Sequence, residues 1–304
     1  MIVLYPKSEF NNSITDFRKV DENFEQEYNV ASTLGFDIVL FDFNHFKKYK
    51  DVITDKNYSR FSTPISAIYR GWMMSIEDYS IFYTELSKMN IILKTNIAQY
   101  LIGHYFPYTY PYIKDYTPHI TYISKEDFDT IKPKELKSLT NTLSSDFFIK
   151  DYVKSAKGKD NKIEIIPSDI TPNKLYKKCK EFIKYRNTYG DYWGGLVFKQ
   201  CLTNIKKYGD DINECRVFVY NNKVVSIESN GILKDMKLPD YGFCTNMVRL
   251  CNIPSSFYTM DYIEVAGFVT QFTGDWALTE VGDAQVSGLA SGNTNPITLY
   301  GKLI

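Results

Sequence analysis

The sequence predicts an α/β fold with two domains, and three observations support this prediction. Strand patterns and helix patterns alternate through roughly the first hundred residues, as they do in open α/β sheets. The second half carries two β-hairpin patterns instead. The chain of 304 residues is also longer than one typical core. We therefore expect a small N-terminal α/β domain over residues 1–125, a linker or helix over 126–143, and an α+β unit over 144–304.

The N-terminal domain is predicted from strands and helices in alternation. Asp21 and Ser75 are suitable helix N-caps, and Gly35 is a helix stop signal. Ligands of open α/β sheets bind beyond the carboxyl ends of strands, so Arg70, which ends a predicted strand, is a candidate substrate contact. An ion pair that fixes the strand end is the alternative. The strands are expected over residues 2–6, 37–43, 66–75 and 91–95, and the helices over 21–35 and 75–90.

The middle of the chain lacks a clear periodic pattern. Residues 104–119 are aromatic and contain prolines at positions 107, 111 and 118, so we expect no regular element there. The polar and charged stretch from 124 to 143 predicts a short helix and the domain boundary.

The second half is predicted to combine strands, one helix and two hairpins. A strand near residues 146–151 carries Lys150 at its end, and a helix starts near Pro172. Residues 194–202 begin with a glycine pair, and another strand is expected after that pair. The first hairpin turns at two asparagines, 221 and 222, which tolerate a positive φ, and the second turns at 273–275.

Composition excludes several classes of protein. Lys+Arg and Asp+Glu both number 36, and a net charge of zero disfavours a sequence-independent nucleic-acid binder. No apolar run is long enough to span a bilayer, and the start does not resemble a signal peptide, so we expect a cytoplasmic protein. The five cysteines are scattered without metal-ligand spacing, which is typical of reduced, buried thiols.

Oxygen ligands cluster in the last hairpin. Glu280 ends a predicted strand, and Asp283 and Gln285 follow it closely. The first arm of the same hairpin contributes Asp261 and Glu264. A hard cation needs several oxygen ligands that converge on one point, so this cluster predicts a magnesium site.

Basic residues in the same half of the chain are the expected complement of that site. Lys150 lies at a strand end, and Lys154 comes four residues later. Arg216 lies two residues after Glu214. Such cations would neutralise phosphate oxygens of a magnesium-bound nucleotide. Taken singly, each has a simpler interpretation, because a lysine after a strand is usually solvated and Arg216 beside Glu214 is compatible with a cross-strand ion pair.

Six short motifs follow one another along nearly the whole chain. They are YRGWMMS, HYFP followed by TP, FIKDYVKS, GGLVFKQCL, NECRVFVYNNKVVSI and WALTEVGDAQVSGL. In this order they resemble motifs of the ATP-grasp superfamily, in the clade named for two conserved arginines and a lysine.

This resemblance implies a fold and an activity. The fold would be a pre-ATP-grasp-like domain followed by a two-part ATP-grasp unit, with a lid part at about 144–202 and a metal-binding part at about 203–304. The activity would be an ATP- and magnesium-dependent ligase that joins a carboxylate to an amine or another nucleophile through an acyl phosphate. The implied partners are a small-molecule or peptide carboxylate and an amine.

The resemblance also implies roles for single residues. Lys150 would contact ATP phosphates, and Arg216 would contact the γ-phosphate or the acyl group. Glu280 would bind magnesium, with Asp283 or Gln285 nearby. Adenine would bind the backbone after the hinge strand. The remaining nucleotide-binding candidates are Lys154, Lys199, Gln200, Cys201, Leu202 and Glu214.

Some residues depart from the pattern of the clade. Lys199 and Gln200 stand where Arg-Glu is usual, so a planar fork and a negative charge are lost. The metal ligand in the first arm is either Asp261 or Glu264; these face opposite sides of a regular strand, and pairing with Glu280 across the turn favours Glu264. A non-catalytic nucleotide-binding or interaction protein on the same fold is therefore the alternative to a ligase.

Overall fold

The structure, a computed structural model, describes residues 1–9, 17–56, 63–153, 163–188, 192–230, 236–267, 275–289 and 296–303. It consists of two compact units, neither of which is one continuous stretch of chain. Unit 1 comprises Met1–Gly103, Tyr208–Tyr262 and Val281–Ile304, and unit 2 comprises His104–Lys207 and Ile263–Glu280. The domain boundaries that we expect from the sequence, which are sequential, stay a prediction.

The described elements form a mixed α/β protein, which confirms the predicted fold class. The strands are β1 (Ile2–Pro6), β2 (Asp37–Phe41), β3 (Ile65–Tyr69), β4 (Ile91–Leu93), β5 (Ile120–Ser124), β6 (Phe147–Asp151), β7 (Gly195–Gln200), β8 (Lys207–Tyr208), β9 (Asp211–Ile212), β10 (Glu214–Tyr220), β11 (Lys223–Ser229), β12 (Phe257–Glu264) and β13 (Trp276–Asp283). The helices are α1 (Glu25–Thr33), α2 (Phe43–Tyr49), α3 (Ile76–Lys88), α4 (Ile97–His104), α5 (Phe106–Ile113), α6 (Lys125–Phe128), α7 (Pro133–Thr140), α8 (Pro172–Thr188), α9 (Tyr241–Cys251) and α10 (Pro296–Tyr300). None of the described helices is both long and apolar enough to cross a membrane.

Unit 1 contains a parallel sheet in the order β2-β1-β3-β4. Its strands are buried on both faces, since Leu4 and Val3 belong to two different hydrophobic clusters. This explains the continuous apolar runs of the sequence. The second strand ends at Phe41, two residues earlier than predicted, because the Asp42 side chain caps α2 by accepting a hydrogen bond from the His45 amide.

The antiparallel sheet β11-β10-β12-β13 follows the predicted hairpins. Asn221 and Asn222 have φ values of 48° and 59°, as a two-residue turn between β10 and β11 requires. The predicted turn of the second hairpin falls on residues 273–275, of which the first two lie outside the described residues. Strand β13 continues to Asp283, beyond the predicted end of the strand.

Unit 2 contains the antiparallel sheet β5-β7-β6. One face carries Ile149 and Phe198, which pack in a hydrophobic cluster with Leu136 of α7 and Leu175 of α8. Phe128, Leu136 and Leu143 of segment 126–143 belong to this cluster. The expected short helix is present there as α6 and α7.

The prediction that residues 104–119 form no regular element is wrong. They include α5, which has eight residues. Pro107 lies in its first turn, where a backbone N–H has no helical partner, so its ring is tolerated. Pro111 lies inside the helix and removes one hydrogen bond from an element that is only two turns long.

A buried ion pair joins four segments of unit 1. Arg70 is 1% exposed, and its Nε and Nη2 donate to the Glu27 carboxylate at 2.8 and 2.7 Å. Its Nη1 donates to the carbonyl oxygens of Ala284 and Ser287, the latter at 2.9 Å. Glu27 also accepts a hydrogen bond of 2.6 Å from the Tyr300 hydroxyl. The pair thereby links the end of β3 to α1, α10 and the segment after β13.

Loss of this arginine should destabilise unit 1 strongly. Arg70→Met leaves the Glu27 carboxylate buried without its cation, so we expect a loss of about 3–5 kcal/mol in the free energy of unfolding. Urea denaturation measures this loss. The control, Lys88→Met, breaks the exposed Lys88–Glu85 pair and should change stability by less than about 0.5 kcal/mol. Equal effects in the two variants would contradict a structural role for Arg70.

Candidate functional site

Two lysines lie on the same face of the sheet in unit 2. Lys150 on β6 pairs with Val197 on β7, and Lys199 pairs with Phe148, so strand periodicity places both lysines opposite the core-facing residues. Both are buried, with 1% and 4% exposure. A buried ammonium group is costly unless it has polar or charged partners, so the environment of these two lysines is informative.

Phe106 and Glu280 provide that environment. The Nζ atoms of Lys150 and Lys199 lie 4.6 and 4.5 Å from the centroid of the Phe106 ring. Lys150 forms an ion pair with Glu280, and Lys199 donates a hydrogen bond to the carbonyl oxygen of Thr279. Unit 2 thus brings together three of the residues that the sequence predicts for the nucleotide site. Glu280 remains 37% exposed at its side chain.

The acidic residues of the described chain do not form a complete cage for a metal. Glu264 is buried and pairs with Lys206 at 2.7 Å. Within the ranges that the structure describes, no group of three or more His, Cys, Asp or Glu side chains could hold a metal ion. The Glu280 carboxylate still fits a magnesium site, because this ion is usually bound by one or two carboxylates together with phosphate oxygens and water.

The segment expected to bind adenine follows β7. The amides of Gln200 and Cys201 already donate to backbone carbonyls, at 2.9 and 2.8 Å. The Gln200 side chain accepts a hydrogen bond of 3.2 Å from the Ser144 hydroxyl. For the amide of Leu202, the described residues provide no hydrogen-bond partner.

The turn after Lys150 is held by a buried ion pair that the sequence did not reveal. Asp151 is fully buried and accepts hydrogen bonds of 2.7 Å from the Val153 amide and from Arg186 Nε on α8. This arrangement fixes the chain direction directly after Lys150. Lys154, which the sequence predicts as a nucleotide contact, lies outside the described residues.

In unit 1, Arg216 on β10 pairs with Asp261 on β12 in a bidentate manner. Its Nε and Nη2 donate to the carboxylate at 2.8 and 2.7 Å, and its Nη1 donates to the Gly288 carbonyl at 2.9 Å. Both side chains remain partly exposed. The alternative interpretation from the sequence pairs Arg216 with Glu214. In the structure, Asp261 is the ion-pair partner of Arg216. Glu214 itself is the first residue of β10 and is half-buried.

Asp283 and Gln285 are buried inside unit 1. Asp283 Oδ1 accepts hydrogen bonds of 3.0 and 3.2 Å from the Gln285 amide and side chain. Gln285 also donates to the Tyr79 hydroxyl at 2.9 Å. Asp283 Oδ2 has no hydrogen-bond partner among the described residues. Burial raises the pKa of the Asp283 carboxyl to about 7, and the opposing hydrogen bonds from Gln285 and the charge of Arg70 do not offset it.

Three predicted site residues contact other groups of unit 1 in the described conformation. Asp283 and Gln285 connect the end of β13 to α3, and Arg70 holds the end of β3. The predicted magnesium and substrate contacts of these side chains stay predictions. The sequence did not identify Phe106 as a candidate site residue. Its segment contains many aromatic residues, and only the tertiary contacts with the two lysines distinguish it.

Solved structures show which fold this arrangement belongs to. A RimK domain ATP-grasp protein from Sphaerobacter thermophilus matches with a TM-score of 0.57 at 10% identity, over 99% of this chain and 96% of that chain. D-alanine–D-alanine ligase from Bacillus anthracis complexed with ATP matches with a TM-score of 0.55 at 12% identity, over 100% and 91% of the two chains. The ATP-grasp ligase PsnB complexed with precursor peptide PsnA2 and AMPPNP has a TM-score of 0.53 at 11% identity, over 93% and 88%. At such identities the likeness shows a shared fold.

The sequence comparison identifies the family. No curated protein matches the chain. The model of the ATP-grasp domain of family 3, in the clade named for two arginines and a lysine, matches residues 137–303, which is more than half of the chain. The match confirms the resemblance to this clade; it covers four of the six motifs and includes Lys150, Lys199, Arg216 and Glu280. The chain therefore belongs to the ATP-grasp superfamily, in family 3 of the clade named for two arginines and a lysine.

Proposed function

We propose that this protein is an ATP-dependent ligase that activates a carboxylate as an acyl phosphate and joins it to an amine. The cluster of Lys150, Lys199 and Glu280 on one face of the unit 2 sheet carries this proposal. Two buried cations beside one partly exposed carboxylate suit a polyanionic ligand that arrives with a divalent cation. Membership of the ATP-grasp superfamily supports the same interpretation.

The ion pair between Lys150 and Glu280 makes a specific exchange possible. In the described state each neutralises the charge of the other. Phosphate oxygens would take the place of the Glu280 carboxylate beside Lys150, and Glu280 would become available as a magnesium ligand. Magnesium, when bound, supplies charge neutralisation at the phosphates that the lysines alone do not provide. Lys199 would add a second ammonium group.

Arg216 is the candidate for stabilising the transferred phosphoryl group. Its guanidinium stays charged at any physiological pH, and its bidentate pair with Asp261 holds it in a defined orientation. A preorganised cation of this kind stabilises charge that develops in the transition state. The Leu202 amide is in turn the candidate hydrogen-bond donor to adenine.

The proposed chemistry requires positioning and charge rather than a nucleophilic side chain. A carboxylate oxygen of the substrate attacks the γ-phosphorus, and ADP leaves with the electrons of the broken P–O bond. The amine then attacks the acyl carbon, inorganic phosphate leaves, and the amine loses a proton. An amino acid or a peptide is the proposed substrate class, since the similar structures include a D-alanine–D-alanine ligase and a ligase complexed with a precursor peptide.

The products of ATP test this function. With the correct acid, ATP should yield ADP and phosphate, and hydroxylamine should trap the activated acid as a hydroxamate. Chromatography of the nucleotides and colorimetry of the hydroxamate measure the two products across a panel of amino acids and peptides. Arg216→Ala should lower kcat about a hundredfold, with a smaller effect on ATP affinity. Production of AMP and pyrophosphate would contradict the mechanism. ATP binding without turnover would favour a non-catalytic nucleotide-binding protein.

Amide variants test the magnesium ligands. Glu280→Gln should reduce magnesium-dependent ATP binding, measured by calorimetry with and without magnesium, because the amide no longer supplies a carboxylate ligand. It also leaves the buried Lys150 ammonium group without its carboxylate partner, so we expect some loss of stability, which urea denaturation measures. Asp261→Asn and Glu264→Gln form the matched comparison, and only the true ligand of the first arm should reproduce the loss. Wild-type magnesium dependence in Glu280→Gln would remove this residue from the site.

The protonation of Asp283 predicts a pH dependence of stability. The folded protein holds this proton up to a pKa of about 7, whereas the unfolded chain releases it near the ordinary value of 3.8, so stability from this group falls as pH rises between the two values. Asp283→Asn cannot titrate. The variant should therefore gain on the order of 2–3 kcal/mol relative to the wild type between pH 5 and pH 8. Urea unfolding in EDTA measures this, and a pH-independent difference would show that the carboxylate is ionised when folded.

A further inference from the structure

We propose that Phe106 is a positioning residue for the phosphate groups of ATP. Its ring would hold the ammonium groups of Lys150 and Lys199 in place, so that both cations face the nucleotide together. The inference rests on the proposed function, because it assumes that these lysines bind phosphate. It assigns a role to a residue that has no charge and no polar side-chain atom.

The geometry places one ring beside two cations. Both Nζ atoms lie within 4.6 Å of the same ring centroid, although the lysines belong to different strands. Contacts of this length are within the range in which the negative face of an aromatic ring attracts a cation. The attraction is strongest where water is excluded, and both lysines are buried.

Phe106 is itself held firmly. It is the first residue of α5, and its amide donates a hydrogen bond of 2.7 Å to the carbonyl of Tyr152, which directly follows β6. The ring is 2% exposed. The backbone that carries Lys150 and the ring that contacts its ammonium group are therefore joined by a short path.

The Phe106 ring offsets the electrostatic cost of placing two lysine ammonium groups close together. Two ammonium groups close to one ring repel each other, and burial removes the water that would screen them. Glu280 and the Thr279 carbonyl each neutralise or solvate one of them. If phosphate displaced Glu280, the ring contact would not be part of the exchange. Phe106 would therefore keep the cations in position in both states.

Leucine at position 106 separates the electrostatic contribution of the aromatic ring from its contribution to apolar packing. Phe106→Leu keeps an apolar side chain but has no π face, so we expect ATP affinity to fall roughly tenfold. Affinity for adenosine, which lacks phosphates, should stay unchanged. Phe106→Tyr keeps the face of the ring and should bind ATP within about threefold of the wild type. Isothermal titration calorimetry of the full chain with both ligands measures these affinities.

Phe128→Leu is the matched control. Phe128 is also buried in unit 2, with 3% exposure, and packs in the hydrophobic cluster of that unit. The substitution is chemically identical, so it should cause a similar loss of thermal stability. It should leave ATP affinity unchanged. A drop in ATP affinity in both leucine variants would show that general loosening of unit 2 is the cause and would overturn the proposal.

Fluorinated phenylalanines at position 106 provide a test that a structural role would not affect. Successive fluorine atoms weaken the negative face of the ring while its shape hardly changes, so the logarithm of ATP affinity should fall steadily from phenylalanine through mono-, di- and trifluorophenylalanine. This series also serves if the leucine variant fails to fold. Affinity that does not depend on fluorination would overturn the positioning role.

The outcomes separate this inference from the ligase function. If the wild type binds ATP and the fluorine series shows the expected trend, but no acid supports ADP formation, the ligase proposal fails and the role of Phe106 stands. If turnover is observed and Phe106→Leu raises neither the Kd nor the KM for ATP, the inference fails alone. A wild type that binds no ATP overturns both.

Discussion

The burial of two lysine ammonium groups on one sheet of unit 2 is the constraint on which the proposed site depends. A buried cation requires compensation, and here the compensation comes from Glu280, the Thr279 carbonyl and the Phe106 ring. These groups belong to segments that are far apart in the chain, so the compensation depends on contacts between distant residues of unit 2. Apolar residues would stabilise the same face at lower cost, which supports a functional reason for keeping the charges.

Unit 1 also contains buried ionisable groups, and other interactions compensate them. Arg70 and Glu27 neutralise each other in the interior, whereas the Asp283 carboxyl accepts hydrogen bonds from Gln285 and keeps its proton to a higher pH. Both arrangements connect the segment after β13 to the parallel sheet or its helices. Charged residues of this kind resemble a binding site in a sequence, and only the tertiary structure shows which protein groups they contact.

The departures from the clade pattern have a local explanation. Lys199 reaches the Phe106 ring and the Thr279 carbonyl with a compact ammonium group, which needs no planar partner. Gln200 retains an oxygen acceptor, and this oxygen accepts a hydrogen bond from Ser144. The charge of the first position is thus retained and the acceptor of the second is kept, so these two replacements are compatible with nucleotide binding.

The sequence by itself determined the fold class, the family, most strands and the caps at Asp21 and Ser75, because these depend on local periodicity, on short motifs and on side chains that bond within three residues. It also identified Lys150, Lys199 and Glu280 as candidates. Only the tertiary structure decided that these three meet around Phe106, that Arg216 pairs with Asp261, and that Arg70 and Gln285 face inward. Strand register and long-range packing set these contacts, and no local pattern encodes the distance between residues a hundred positions apart.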